Sequence, residues 1–91
     1  MAAAGPAHIE KVEAIVQDDV TYPWLMRVTW VGSYSLTGTP PFTEQIIVTE
    51  RPLNTTDPLD QSAWDNIWAN FQGAFATATG VTAPITNPVS L

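Results

Sequence analysis

Hydrophobic and polar residues alternate with different periods along this chain, and the period changes mark its elements. Over residues 61–78, Trp64, Ile67, Trp68, Phe71 and Phe75 recur at three- and four-residue spacing. At 3.6 residues per turn they fall within an arc of about 100°. Asn66 and Gly73 sit near the opposite pole, so the segment reads as an amphipathic helix. Gly80 suits the left-handed residue that ends a helix. Three starts compete: Asp57 with Pro58 as first helical residue, Asp60, and Ser62. Asp60 is favoured as the cap, because inside the helix it would fall within the apolar arc.

Elsewhere the period is two. Residues 24–31 put Trp24, Met26, Val28 and Trp30 on one face and Leu25, Arg27, Thr29 and Val31 on the other. Pro23 and Gly32 bracket this run, which is dense in β-branched and aromatic residues, as a strand requires. Residues 43–50 read as a second strand, with Ile46 and Val48 on one face and Thr43, Gln45, Ile47 and Thr49 on the other. Between the two, residues 32–41 are rich in turn formers. Tyr34 and Leu36 keep the parity of Trp30, which suggests a long hairpin arm with its tip at residues 38–41. Residues 8–17 fit both templates. As a helix, Ile9, Val12, Ile15 and Val16 form a stripe. As a strand, Val12, Ala14 and Val16 share one face, with Ile9 and Ile15 on the other. The strand is chosen, because Asp18-Asp19 and Tyr22-Pro23 then make a turn into the next strand.

The expected architecture is α+β: a small antiparallel three-stranded sheet packed on one C-terminal amphipathic helix, with extended termini. Residues 1–7, small and ending near Pro6, read as a flexible arm. Residues 8–79 form the single domain. Residues 80–91 form a Pro-containing tail that cannot be helical, because each proline lacks an N–H and extends its predecessor.

One helix covers one face of a sheet. The aromatic face of residues 24–30 is expected to receive it. The opposite face is expected to show Ile9, Ile15, Leu25, Val31 and Ile47, mixed with Arg27 and other polar residues. That is more apolar than a solvated sheet face should be. Either a partner chain covers it or the tail folds back with Val81, Ile85 and Val89. These nine residues, Arg27 included, are the candidate interface. For Arg27 a cross-strand ion pair with Glu13 is the plainer alternative.

Composition narrows the function. The chain has 91 residues, 45% hydrophobic and 13% charged. Such a chain folds to about 5,200 Å² of surface from about 14,400 Å² unfolded, enough for one core and too little for a two-domain enzyme. Nine acids against three Lys+Arg give a net charge of −6. That lacks the basic footprint of a nucleic-acid binder. Without cysteine there is no disulfide and no thiolate chemistry. The N-terminus carries no signal-peptide pattern, and no run reaches the ~20 apolar residues of a membrane helix. A cytosolic or virion location is expected, with no membrane partner.

No catalytic, cofactor or metal motif stands out. His8 is the only histidine, and no phosphate-binding or calcium loop occurs. Glu44 and Glu50 lie about 20 Å apart along a strand, too far for a glycosidase pair. Asp57 and Asp60 fit capping, and Asp18 and Asp19 fit a turn. The expectation is a non-enzymatic assembly protein, without cofactor, that packs against copies of itself or a larger structural protein. In general build it looks like small virion proteins of tailed phages, such as capsid decoration, head–tail or tail-ring subunits. That likeness is one of style and composition, and no motif carries it to a family. The alternative is a small-molecule module, with Trp24, Trp30, Tyr34 and Trp68 lining a pocket between helix and sheet.

Overall fold

The computed structural model describes residues 2–54, 56–82 and 87–91. Three strands, β1 (Ala3–Val16), β2 (Trp24–Ser35) and β3 (Thr43–Leu53), precede one helix, α1 (Gln61–Thr79). The sheet is antiparallel in the order β1-β2-β3. This is the α+β arrangement that the two periodicities predict. The described tail segments, at Val81 and Asn87–Leu91, lie outside any strand or helix.

The helix bounds follow from local chemistry. The Asp60 carboxylate accepts the Ala63 backbone N–H at 3.0 Å, satisfying a donor that the helix itself cannot. Gly80 takes a left-handed conformation, φ 73°, and returns its N–H to the Ala76 carbonyl. The buried side of α1 is Ala63, Ile67, Trp68, Phe71 and Phe75. It meets Met26, Val28 and Trp30 of the central strand. Trp30 has its ring 5.1 Å from Phe71 and 5.5 Å from Trp68, and Tyr34 meets Phe75 edge-on at 6.1 Å. Gly32 makes room for this approach: a Cβ there would lie 2.7 Å from the Phe75 ring. The helix therefore starts beside the Trp24 end of the sheet and runs toward the hairpin tip.

Two sequence expectations change. Residues 3–7, expected as a loose arm, belong to β1, and Ala7 is buried in the core. The face assignments also shift. β1 is irregular between Ile9 and Lys11: Ile9 pairs with Trp30 and Lys11 with Thr29, leaving Glu10 as an extra residue. That bulge reverses the alternation, so Ile9 shares the helix-side face with Val12 and Ala14. In β3 the register pairs Ile47 with Trp30 and Thr49 with Val28. Ile47 and Thr49 thus face the helix, and Ile46 and Val48 face away.

The molecule is long, 48 × 24 × 18 Å. Its radius of gyration of 14.7 Å exceeds the roughly 12 Å of a compact chain this size. The long β2–β3 hairpin, about 40 Å for the twelve residues of β2, sets this length together with β1 beside it. Its tip, residues 36–42, projects beyond the sheet and is closed by Ser35, whose hydroxyl donates to the Thr39 carbonyl and accepts from the Gly38 N–H.

Candidate interaction surfaces

Among the described residues, two apolar surfaces remain after the helix is docked. The first is the sheet face turned away from α1. Cross-strand rows build it: Ile15, Leu25 and Pro52; then Glu13, Arg27 and Glu50; then Lys11, Thr29 and Val48; then His8, Val31 and Ile46. Ile46 and Val48 are 62% and 51% exposed, and Ile15 and Leu25 are half-buried. Val31, in the central strand, is buried by its neighbours. The charged row is partly neutralised within the chain. Arg27 donates through Nε and Nη2 to one Glu50 oxygen, at 3.0 and 2.8 Å. Its partner is Glu50 rather than the expected Glu13, which instead faces Lys11 at 3.5 Å.

Of the expected interface, Ile15, Leu25, Arg27 and Val31 lie together on this open face. Ile9 and Ile47 do not, for the reasons of bulge and register given above. Val81 and Val89 lie on the helix side: Val81 is buried in the core and Val89 packs against it. The last residues of the tail lie at the start of α1, where Gln61 donates to the Val89 carbonyl and accepts the Leu91 N–H. Asn87 adds a bond to Asp65. The tail segments so anchored do not cover the open face. Ile85 lies outside the described residues. Ile46 and Val48, grouped on one face by alternation, take the place on the open face where Ile47 is expected, because alternation does not say which side meets the core.

The second surface is a groove on the helix side. The backbone of α1 lies over β3 and β2 and stays clear of β1. Val12 and Val16 therefore stay 51% and 72% exposed on the face that the helix elsewhere buries. A groove of about 230 Å³ opens there, between Val12, Ala14, Trp24, Met26, Leu53 and Leu59. The aromatic pocket suggested by Trp24, Trp30, Tyr34 and Trp68 does not form as a unit. Trp30 and Trp68 fill the seam against each other, and only Trp24 of the four lines the groove.

Most of the acids have structural partners. Asp60 caps α1, Asp57 accepts the Asn54 N–H, Asp65 ties Gln61 to Asn87, and Asp19 accepts two turn amides. His8 is exposed and meets Glu10 at 3.0 Å. Among the described residues no group of three or more acids and histidines is placed to hold a metal ion, and no buried polar side-chain atom lacks a partner. Trp30 and Thr49 illustrate the second point: the indole N–H donates to the buried hydroxyl at 2.9 Å. No described helix is long and apolar enough to cross a membrane. No protein-family model, curated protein or solved structure matches the chain.

Proposed function

We propose that this chain is a non-enzymatic structural protein that assembles by packing the open face of its sheet against another copy of itself or a larger structural protein. The observation that carries this reading is the exposure of Ile46 and Val48 beside Val31, on a face that neither helix nor anchored tail covers. Ile46, Val31 and Val48 sit in adjoining rows and form an apolar cluster, which the Glu13–Arg27–Glu50 row parts from Ile15 and Leu25, and such clusters are kept where another surface buries them. Arg27, held by Glu50 amid these rows, gives the patch a charge-assisted anchor of the kind enriched at interface centres. The reading extends to the small virion subunits of tailed phages, whose general build its size, acidic charge and projecting hairpin resemble.

The small-molecule reading has less support. The aromatic seam is filled, and the groove beside β1 is smaller than the ~300–1,000 Å³ of most ligand sites.

Light scattering coupled to size-exclusion chromatography tests the proposal. The wild-type chain is expected to run as an assembly, and the Ile46→Asp/Val48→Asp variant as a smaller one with its fold intact. Both positions are exposed, so each aspartate should cost folding no more than about 1 kcal/mol. Equal masses for wild type and variant would remove the open face from the argument. A monomeric wild type at high concentration would remove self-assembly.

A further inference from the structure

Strand β1 is an edge. It pairs with β2 on one side, and among the described residues no strand lies on its other side. Unpaired backbone groups along such an edge are a template for another strand. The first half of β1 suits one poorly. Pro6 lacks an N–H, and the ladder shifts between Ala4 and Ala7 and again between Ile9 and Lys11. The second half, residues 11–16, holds neither glycine nor proline and pairs residue for residue with residues 24–29. The backbone of α1 stays clear of it, and Val12 and Val16 are exposed there. The opposite edge, β3, has α1 above it and a proline, Pro52, near its end. We propose that two copies of this chain pair through their β1 edges, antiparallel about a two-fold axis at Val12, so that two sheets become one of six strands. This goes beyond the open-face packing proposed above and uses a different surface.

Charge selects both the partner and the register. Residues directly opposed in an antiparallel pair lie on the same face. Lys11 and Glu13 stand on the open face, opposite Thr29 and Arg27, and Val12 stands on the helix side. A two-fold axis at Lys11 would oppose two lysines, and one at Glu13 two glutamates. An axis at Ala14 would set Lys11 against Gln17 and Glu13 against Ile15, which pairs neither charge. An axis at Val12 sets Lys11 of each copy opposite Glu13 of the other. Residues 11–13 are thus complementary to their own reverse, and a second copy is the partner that matches them. Lys11 already lies 3.5 Å from Glu13 of its own chain, and both side chains keep exposed surface, so four charges of alternating sign ring the axis. On the helix side Val12 meets its own copy, and the troughs that Val12 and Ala14 line come side by side. Each Ala14 falls opposite the other copy's Glu10, where the bulge bounds the ladder. Backbone hydrogen bonds and the valine contact hold the pair, and the charges fix its register. Because the same surface serves both copies, this contact closes at two.

Charge exchange tests the pairing. The Ile46→Asp/Val48→Asp chain serves as background, which removes open-face packing. Sedimentation velocity should still find a two-chain species there. Adding Lys11→Glu, or adding Glu13→Lys, should leave monomers, since each opposes like charges twice across the axis. Mixing these two monomers in equal amounts should restore a two-chain species, because glutamate 11 of one then faces lysine 13 of the other. Both variants keep a negative net charge, so attraction between whole chains cannot bring them together, and the pair within each chain is the same mixed or alone. Cross-linking gives a second reading that needs neither variant. The chain has no cysteine, so Val12→Cys in the same background can be linked by a short bis-maleimide only between copies. It should link efficiently, and Val20→Cys, fully exposed in the turn, should not. Single variants that pair like the background, a mixture that stays monomeric, or equal linking at Val12 and Val20 overturns the proposal. A monomeric background beside an assembled wild type overturns it too, while leaving the open-face reading standing. A wild type that is itself monomeric overturns the edge pairing and removes self-assembly with it.

Discussion

At the residue scale, close approach governs the core. Trp30 is fully buried against the Trp68 and Phe71 rings, and its one polar side-chain atom is satisfied by Thr49. That pairing explains why a threonine occupies a buried position on β3. Gly32 is tied to the same packing, because its missing side chain is what lets Phe71 and Phe75 reach the central strand. Replacing Gly32 with alanine would press a methyl group into two fully buried rings. Overpacking of this kind costs about 1–3 kcal/mol, despite the gain in strand propensity. Urea unfolding followed by tryptophan fluorescence should show that loss as a lowered midpoint. A midpoint at or above that of wild type would mean that the rings shift freely.

At the scale of elements, the helix was legible almost to the residue, since its arc, its Asp60 cap and its terminal glycine are all local signals. The hairpin was legible for the same reason, although β3 runs on to Leu53. The open face was only half legible. A period of two separates the sides of a strand but does not say which side meets the core, and a slip of one residue exchanges them. On β3 the apolar pair Ile46 and Val48 looked like the buried side. The register instead buries Ile47, and Thr49 with its partner indole. On β1 the extra residue Glu10 has no sequence signature, yet it decides the side on which Ile9 falls. Deleting Glu10 should force residues 3–9 to choose between pairing and burial. Amide exchange is expected to quicken there while β2 and β3 keep their protection. Unchanged exchange in residues 3–9 would show that the bulge is dispensable.

At the scale of the whole molecule, shape and charge are both polarised along one axis. The helix backbone lies over two of the three strands, which leaves a trough beside Val12 and Ala14 of β1, and Asp18, Asp19, Asp57 and Asp60 lie in the segments adjoining it. With a net charge of −6, copies repel one another at long range, whichever surfaces they finally join. Screening shortens that repulsion from about 30 Å at 0.01 M salt to about 8 Å at 0.15 M. Assembly should therefore strengthen as salt rises through this range, as sedimentation at matched protein concentration would show. Weakening over the same range would point to association driven by opposite charges.

The anchored tail has one more consequence. Ala3 stands across from Ser35, while Leu91 is bound to Gln61 at the far end of the sheet. The first and last residues described in strand and tail are thus separated by most of the molecule's length. A tandem gene fusion, with a short peptide joining Leu91 of one unit to the start of the next, would therefore string the units in a single direction, each β-hairpin loop pointing at its predecessor's trough.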